Sequence, residues 1–214
     1  MIPLFHDFTD QTVLVFGGGT VGARKARRFA REAAVVVVSP SFADVSFGDA
    51  ECIRASPGPD AVAEWLDRVA PALVVAATDD SRLNAAIEAS ARERGVLSNR
   101  TDDHGSRAWG SVVVPATVRD GPVTVAVSTD GHSPALSSYL RERIEPVLDN
   151  AGAMAELAGD LRGDLRDRYD PADRRAALRA VVRDESVWKG LDSPGANPSK
   201  RASDVISDVT GDPS

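Results

Sequence analysis

Over the first hundred residues, uninterrupted apolar runs alternate with segments whose apolar positions recur every three or four residues. The run over 11–16 reads as a buried strand, 21–31 as a helix, and 35–39 as a second strand closed by Pro40. Residues 51–55 suit a short third strand, followed by the turn residues Ser56-Pro57-Gly58-Pro59. Asp60 can cap a helix through Val69, and the apolar run over 73–77 is a further strand. Asp79 or Asp80 then caps a helix that reaches Arg94 and stops at Gly95. Strands that are apolar on both faces, separated by amphipathic helices, predict a parallel sheet covered on both sides. The fold class is therefore α/β, with an N-terminal Rossmann sheet.

The pattern changes beyond Asn99. Residues 111–115 and 123–128 are strand-like with no helix between them, joined by Arg119-Asp120-Gly121-Pro122, which predicts a hairpin or meander. Ser133-Pro134 suits the start of a helix running towards 148, since serine caps and proline fits the first helical position. Two more helices are expected, over 154–168 and, capped by Asp170 with Pro171, to about 183. From Asp192 the chain turns to Ser, Pro, Gly, Asn and Asp, a composition expected to be disordered. The expected division is 1–110, 111–148, 149–190 and a disordered tail over 191–214.

Composition narrows the function classes. The chain has 214 residues, 43% of them hydrophobic and 27% charged, which suits a protein with a substantial core and a charged surface. A net charge of −7 argues against nucleic-acid binding. No apolar stretch approaches the roughly 20 residues that cross a bilayer, and the start lacks a basic and apolar leader pattern. Cys52 is the single cysteine, so no internal disulfide framework is expected. These features point to a cytoplasmic protein.

The chemistry is concentrated at strand ends. Gly17, Gly19 and Gly22 fall at the spacing G-x-G-x-x-G between a β-branched strand and an Arg/Ala-rich helix. The first glycine permits a tight turn, the second lets backbone approach a pyrophosphate, and the third lets the helix pack close. Thr20 and Val21 lie at the helix start, where free N–H groups and the dipole attract phosphate. An acid about 20 positions further on usually holds the ribose of NAD. Here Ser39, Pro40 and Ser41 stand there instead, with no acid until Asp44. Thr78 and Asp79 follow the strand over 73–77, at the sheet edge where open α/β sheets place ligands. Asn84 falls one turn into the next helix, where a surface amide is ordinary. The densest polar cluster is Asn99-Arg100-Thr101-Asp102-Asp103-His104. A carboxylate there, beside a cofactor, can act as a general base. A second polar turn runs from Val127 to Pro134, including Ser128, Thr129, Gly131, His132 and Ser133, and its helix start can bind carboxylates through N–H groups.

Taken in order, these segments resemble the precorrin-2 dehydrogenases, including the N-terminal module of siroheme synthases. The matching pieces are Pro3-Leu4-Phe5, the glycine run from Val15 to Lys25, Ala76-Ala77-Thr78-Asp79-Asp80 with Leu83-Asn84, and Asn99-x-x-Asp102. Val114-Pro115-Ala116, Val125-Ala126-Val127-Ser128-Thr129, Gly131-x-Ser133-Pro134-Ala135-Leu136 and Leu140-Arg141-Glu142-Arg143-Ile144-Glu145 complete the run, over residues 2 to 150. The resemblance implies NAD-dependent oxidation of precorrin-2 to sirohydrochlorin in siroheme biosynthesis, and leaves iron insertion into the product open. It also implies a homodimer built from a Rossmann domain, a small α+β dimerisation region and a C-terminal helical domain. The family's functional aspartate maps to Asp102, which would accept or organise the proton lost as hydride passes to nicotinamide. Thr129 maps near the family's tetrapyrrole pocket, so Asn99, Ser128, Thr129, Gly131, His132, Ser133 and Arg141 become candidate substrate residues. Arginine suits the substrate's carboxylates geometrically; Arg100, Arg107, Arg119 and Arg141 are available. The stretch over 104–115, and Asp130 in place of a glycine, depart from the family pattern. No protein metal site is expected.

Two rivals remain. A short-chain dehydrogenase needs Tyr-x-x-x-Lys, but Arg143 follows Tyr139 and Asp173 follows Tyr169 at that spacing. A non-enzymatic nucleotide-sensing Rossmann module would bind the dinucleotide and tolerate loss of Asp102.

Overall fold

The computed structural model describes residues 2–102, 108–193 and 195–211. The chain divides into two compact units, Met1–Val114 and Pro115–Ser214. In the first, the elements are β1 (Thr12–Phe16), α1 (Thr20–Phe29), β2 (Ala34–Ser39), β3 (Glu51–Arg54), a single 3-10 turn at Pro59–Ala61, α2 (Val62–Val69), β4 (Leu73–Ala76), α3 (Ser81–Glu93) and β5 (Leu97–Arg100). The five strands form one parallel sheet in the order β3-β2-β1-β4-β5.

Strand alternation divides the apolar residues between two layers. Leu14 and Phe16 of β1 pack with Val62 and Leu66 of α2 and with Leu83, Ile87 and Ala91 of α3. Val13 and Val15 face the other way, against Ala23 and Ala26 of α1 and against Phe47. Because β1 is covered on both sides, its sequence is an unbroken apolar run. The chain order reverses between β1, which leads outward to β2 and β3, and β4, which leads to β5. The crevice at the carboxyl ends of β1 and β4 is where such sheets bind ligands.

The second unit holds the antiparallel hairpin β6 (Ala116–Asp120) and β7 (Val123–Val127), then α4 (Pro134–Ile144), a 3-10 turn at Glu145–Leu148, α5 (Ala151–Asp164), α6 (Pro171–Arg183), α7 (Glu185–Asp192) and α8 (Pro198–Thr210). Two expectations change here. The first hairpin strand lies at 116–120 rather than 111–115. Residue 111 makes only an isolated bridge to Ser98, and Pro115, which has no N–H to give a ladder, sits just before the strand. The tail expected to be disordered carries α8. Asn197 caps it by accepting the Lys200 N–H at 2.9 Å, and Pro198 takes the first helical position. Ala202 and Ile206, four residues apart, are buried with Met154, Leu161, Leu165, Ala177, Val181 and Val187. Composition concealed this because only one face of the helix is apolar. Among the described residues, no helix is long and apolar enough to cross a membrane.

Candidate functional site

At the carboxyl ends of β1, β2 and β4 the first unit opens into a cleft of about 740 Å³. Its lining includes Gly17, Gly19, Thr20, Val21, Ser39, Pro40, Thr78 and Asp79, so most of the expected cofactor residues converge there. Gly22 lies behind them, buried in α1.

The glycines differ in what they permit. A Cβ on Gly17 would sit 2.2 Å from the Ala77 carbonyl oxygen, and Gly17 holds φ at +118°, a region closed to other residues. A Cβ on Gly22 would sit 1.9 Å from the Gly17 oxygen, so the helix packs on the turn only with glycine there. Gly18, absent from the sequence-based selection, is equally restricted: its Cβ would meet the Ser41 oxygen at 2.1 Å and the Ser39 side chain at 2.8 Å. Gly19 has nothing within 4 Å of its missing Cβ. Gly19 is also the N-cap of α1 and supplies no side-chain cap, and the first turn carries no acid. The Ala23 N–H is the one that returns to the Gly19 carbonyl, at 2.9 Å. Open space beside uncapped N–H groups at the positive end of a helix fits a pyrophosphate.

Ser39 closes β2 and is buried. Arg54, its register partner on β3, donates to the Pro40 carbonyl at 3.2 Å. At the β4 end, Asp80 rather than Asp79 caps α3, accepting the Arg82 and Leu83 N–H groups at 2.8 and 3.2 Å. Asp79 stays on the cleft.

Asn84 is the residue that sequence reading misplaced. It is 0% exposed. Its Oδ1 accepts the Thr78 N–H at 3.2 Å and the Thr78 hydroxyl at 2.7 Å, while its Nδ2 donates to the Thr78 carbonyl at 2.9 Å. The same side chain favours the charged form of the Asp102 carboxyl. Arg100 grips Asp102 with two nitrogens, Nε to Oδ1 at 2.9 Å and Nη2 to Oδ2 at 3.1 Å, and reaches Glu88 on α3 at 3.4 Å. The Arg100 guanidinium above all holds the Asp102 carboxyl below the usual carboxylate range; burial opposes it, and the Asn84 side chain adds a lesser effect in the same direction as Arg100. Asn99, expected at the substrate, is buried. It donates to the Val112 carbonyl at 2.8 Å, and its Oδ1 has no partner among the described residues. Asp103, His104 and Arg107 lie outside the described residues.

The remaining candidates belong to the second unit. Thr129 accepts the Ser133 N–H at 3.2 Å and donates to the Ser133 carbonyl at 3.0 Å. Its carbonyl receives the His132 N–H at 3.0 Å. Ser128 accepts the Asp130 N–H, and Asp130 and Gly131 both adopt positive φ. Ser133 caps α4. Arg141 is engaged with Glu145 at 3.1 Å and Glu142 at 3.7 Å.

Known proteins agree with this arrangement. Residues 4–116 match a family described as NAD(P)-binding, and residues 120–145 match the sirohaem biosynthesis protein central family. A precorrin-2 dehydrogenase from Methanosarcina barkeri is 32% identical, covering 96% of this chain and 93% of that protein. The chain belongs to the precorrin-2 dehydrogenase family. Siroheme synthase 1 from Serratia proteamaculans is 37% identical over 81% of this chain, which spans 36% of that longer protein. A solved precorrin-2 dehydrogenase structure superposes with a TM-score of 0.67 at 21% identity, over 99% of this chain and 100% of that one, and so shares the fold. The glycine cradle falls within residues 4–116, the part that matches the NAD(P)-binding family.

Proposed function

We propose that the chain oxidises precorrin-2 to sirohydrochlorin with NAD, and that Asp102 is the proton acceptor. The observation that carries this reading is a carboxylate kept ionised just beyond β5, next to the strand that ends at the dinucleotide cleft: Arg100 grips both Asp102 oxygens, and Thr101 is bonded to Ala76 at the end of β4. Family membership supports the substrate.

The reaction removes two hydrogens. One C–H bond gives up its electron pair with its hydrogen as hydride, and a second hydrogen leaves as a proton. The nicotinamide, when bound, supplies the hydride acceptor. Gly19, Thr20 and Val21 would hold its pyrophosphate on the turn that Gly17 and Gly22 make possible, with Ser39, Pro40, Thr78 and Asp79 along the remainder of the cleft. Asp102 takes the proton. Its negative charge also stabilises the positive charge that develops on the tetrapyrrole as hydride leaves. In the second unit, the turn at Ser128, Thr129, Gly131, His132 and Ser133, with Arg141, contributes to substrate binding in this reading.

The protein acts as a cytoplasmic homodimer. The exposed Leu136, Tyr139 and Val147 and the absence of any buried residue on α4 support a second copy covering that face. Light scattering that returned only a monomer mass would remove the dimer.

The decisive assay supplies precorrin-2 and NAD under anaerobic conditions. Wild-type protein should yield sirohydrochlorin and NADH, and Asp102→Ala should yield neither while binding NADH normally. A silent wild type sinks the dehydrogenase reading, and an active Asp102→Ala removes Asp102 from it. Ferrous ion added to the product reads iron insertion.

A further inference from the structure

Asp102 is held from two sides, by groups that are themselves fixed. The segment leading to it is pinned at Thr101, whose N–H and hydroxyl both reach the Ala76 carbonyl at 3.1 Å. Arg100, two residues back at the end of β5, takes both carboxylate oxygens of Asp102 across the bend at 101–102. Its third nitrogen is braced by Glu88 of α3. One turn earlier on the same face of α3 stands Asn84. Its Oδ1 takes the N–H and the hydroxyl of Thr78 and its Nδ2 the Thr78 carbonyl, and the same amide favours the charged form of the Asp102 carboxyl. A buried amide with three hydrogen bonds to one turn has a fixed arrangement, so the dipole that Asp102 feels is set by the Thr78 turn.

We infer that Asn84 and Arg100 are positioning residues for the proton acceptor. Asn84 ties the Asp102 carboxylate to the Thr78 turn of the dinucleotide cleft, and Arg100 fixes its orientation. A dinucleotide seated against that turn therefore also sets the carboxylate. The inference rests on Asp102 being the proton acceptor. Neither Asn84 nor Arg100 needs to touch the reacting atoms. Among the described residues, the charged groups on the carboxylate are Arg100 and, through it, Glu88; Asn84 is neutral at every pH.

The test reads NADH affinity by fluorescence titration and kcat against pH in the anaerobic assay, for Arg100→Gln, Arg100→Lys, Asn84→Asp, Thr78→Val and Asp102→Asn. Arg100→Gln should move the acid limb of the kcat profile to higher pH while NADH affinity stays within about twofold, as for a site away from the cleft. Arg100→Lys should return the limb towards wild type but recover only part of kcat, because the charge is restored and the two-pronged grip is not. Asn84→Asp keeps the acceptors for Thr78 but loses the donation to the Thr78 carbonyl and adds a second acid near Asp102, so NADH affinity and kcat should fall together, each by about tenfold. Thr78→Val removes the 2.7 Å bond from the other end and should weaken NADH in the same sense; it carries the coupling arm if Asn84→Asp does not fold. An unmoved acid limb in Arg100→Gln, or wild-type NADH affinity in Thr78→Val and in any folded Asn84→Asp, overturns the inference. Turnover by Asp102→Asn defeats the proton-acceptor reading itself. A dead Asp102→Asn beside an unmoved Arg100→Gln defeats only the positioning roles.

Discussion

The hydroxyl of Thr78 donates to the Oδ1 of Asn84 at 2.7 Å, joining a half-buried turn to a side chain that no solvent reaches. Removing the amide strands the N–H and the carbonyl of Thr78 together. Asn84→Ala should therefore lower unfolding stability by about 1–3 kcal/mol, the cost of polar groups left unpaired in a protein interior. Urea denaturation at neutral pH measures it, and a midpoint equal to wild type would show that the turn finds other partners.

Gly19 and Gly22 separate binding from folding. Gly19 has φ −77° and open space at its missing Cβ, so Gly19→Ala should change stability by no more than about 0.5 kcal/mol. The new methyl group occupies the approach to the helix N–H groups, and NADH affinity should fall about tenfold or more. Gly22→Ala places its Cβ against the Gly17 carbonyl and should lose both stability and NADH affinity. Equal melting temperatures for the two variants contradict this division.

The terminal helix is a structural part of the second unit. Ile206 is 5% exposed and packs with Ala177, Val181 and Val187. Ile206→Ala should cost about 2–5 kcal/mol and make residues 198–210 sensitive to limited proteolysis. A protected segment in that variant would mean α8 is held by something other than this core.

Lys25 gives a pH signature. Burial first, then Arg28 and Arg24, push its ammonium down to about 8, and no ion pair compensates it among the described residues. Between that value and its unfolded pKa near 10.4 the folded state carries fewer protons than the unfolded one, so this group makes stability rise with pH across that window. Lys25→Met should raise the melting temperature at pH 7 by a few degrees, roughly the size expected from one relieved buried charge. The advantage should shrink by pH 10. An advantage unchanged with pH would show that Lys25 stays charged in the fold.

Much of the first unit was legible because its strands are buried on both faces. Val13 to Phe16, Val35 to Val38 and Leu73 to Ala76 are apolar at every position, and glycine spacing marks the turn that follows the first of them. The structure adds what one-dimensional pattern conceals. Asn84 looks like a surface amide in a helical repeat, and only the fold of the Thr78 turn makes its site interior. Arg100 and Asp102 do carry a signal, being two positions apart, but their pairing runs across the bend at 101–102 and needs α3 to supply Glu88. The tail was misread because Ser, Pro and Asn dominate its composition, whereas Ala202 and Ile206 recur at helical spacing. Asn99 lies at a strand end that is open in pattern but closed by Val112.

That closure has an evolutionary consequence. The Val112 N–H meets the Ser98 carbonyl at 2.7 Å, the Ser98 N–H meets the Gly110 carbonyl at 3.0 Å, and Thr101 is anchored to Ala76. The chain therefore leaves and rejoins β5 at two independently fastened points, with Asp102 beside the first. Lengthening a chain between fixed ends costs only about 0.6 kcal/mol per doubling. Descendants of this protein are free to gain or lose residues between 103 and 109 while Asp102 keeps its place beside β5.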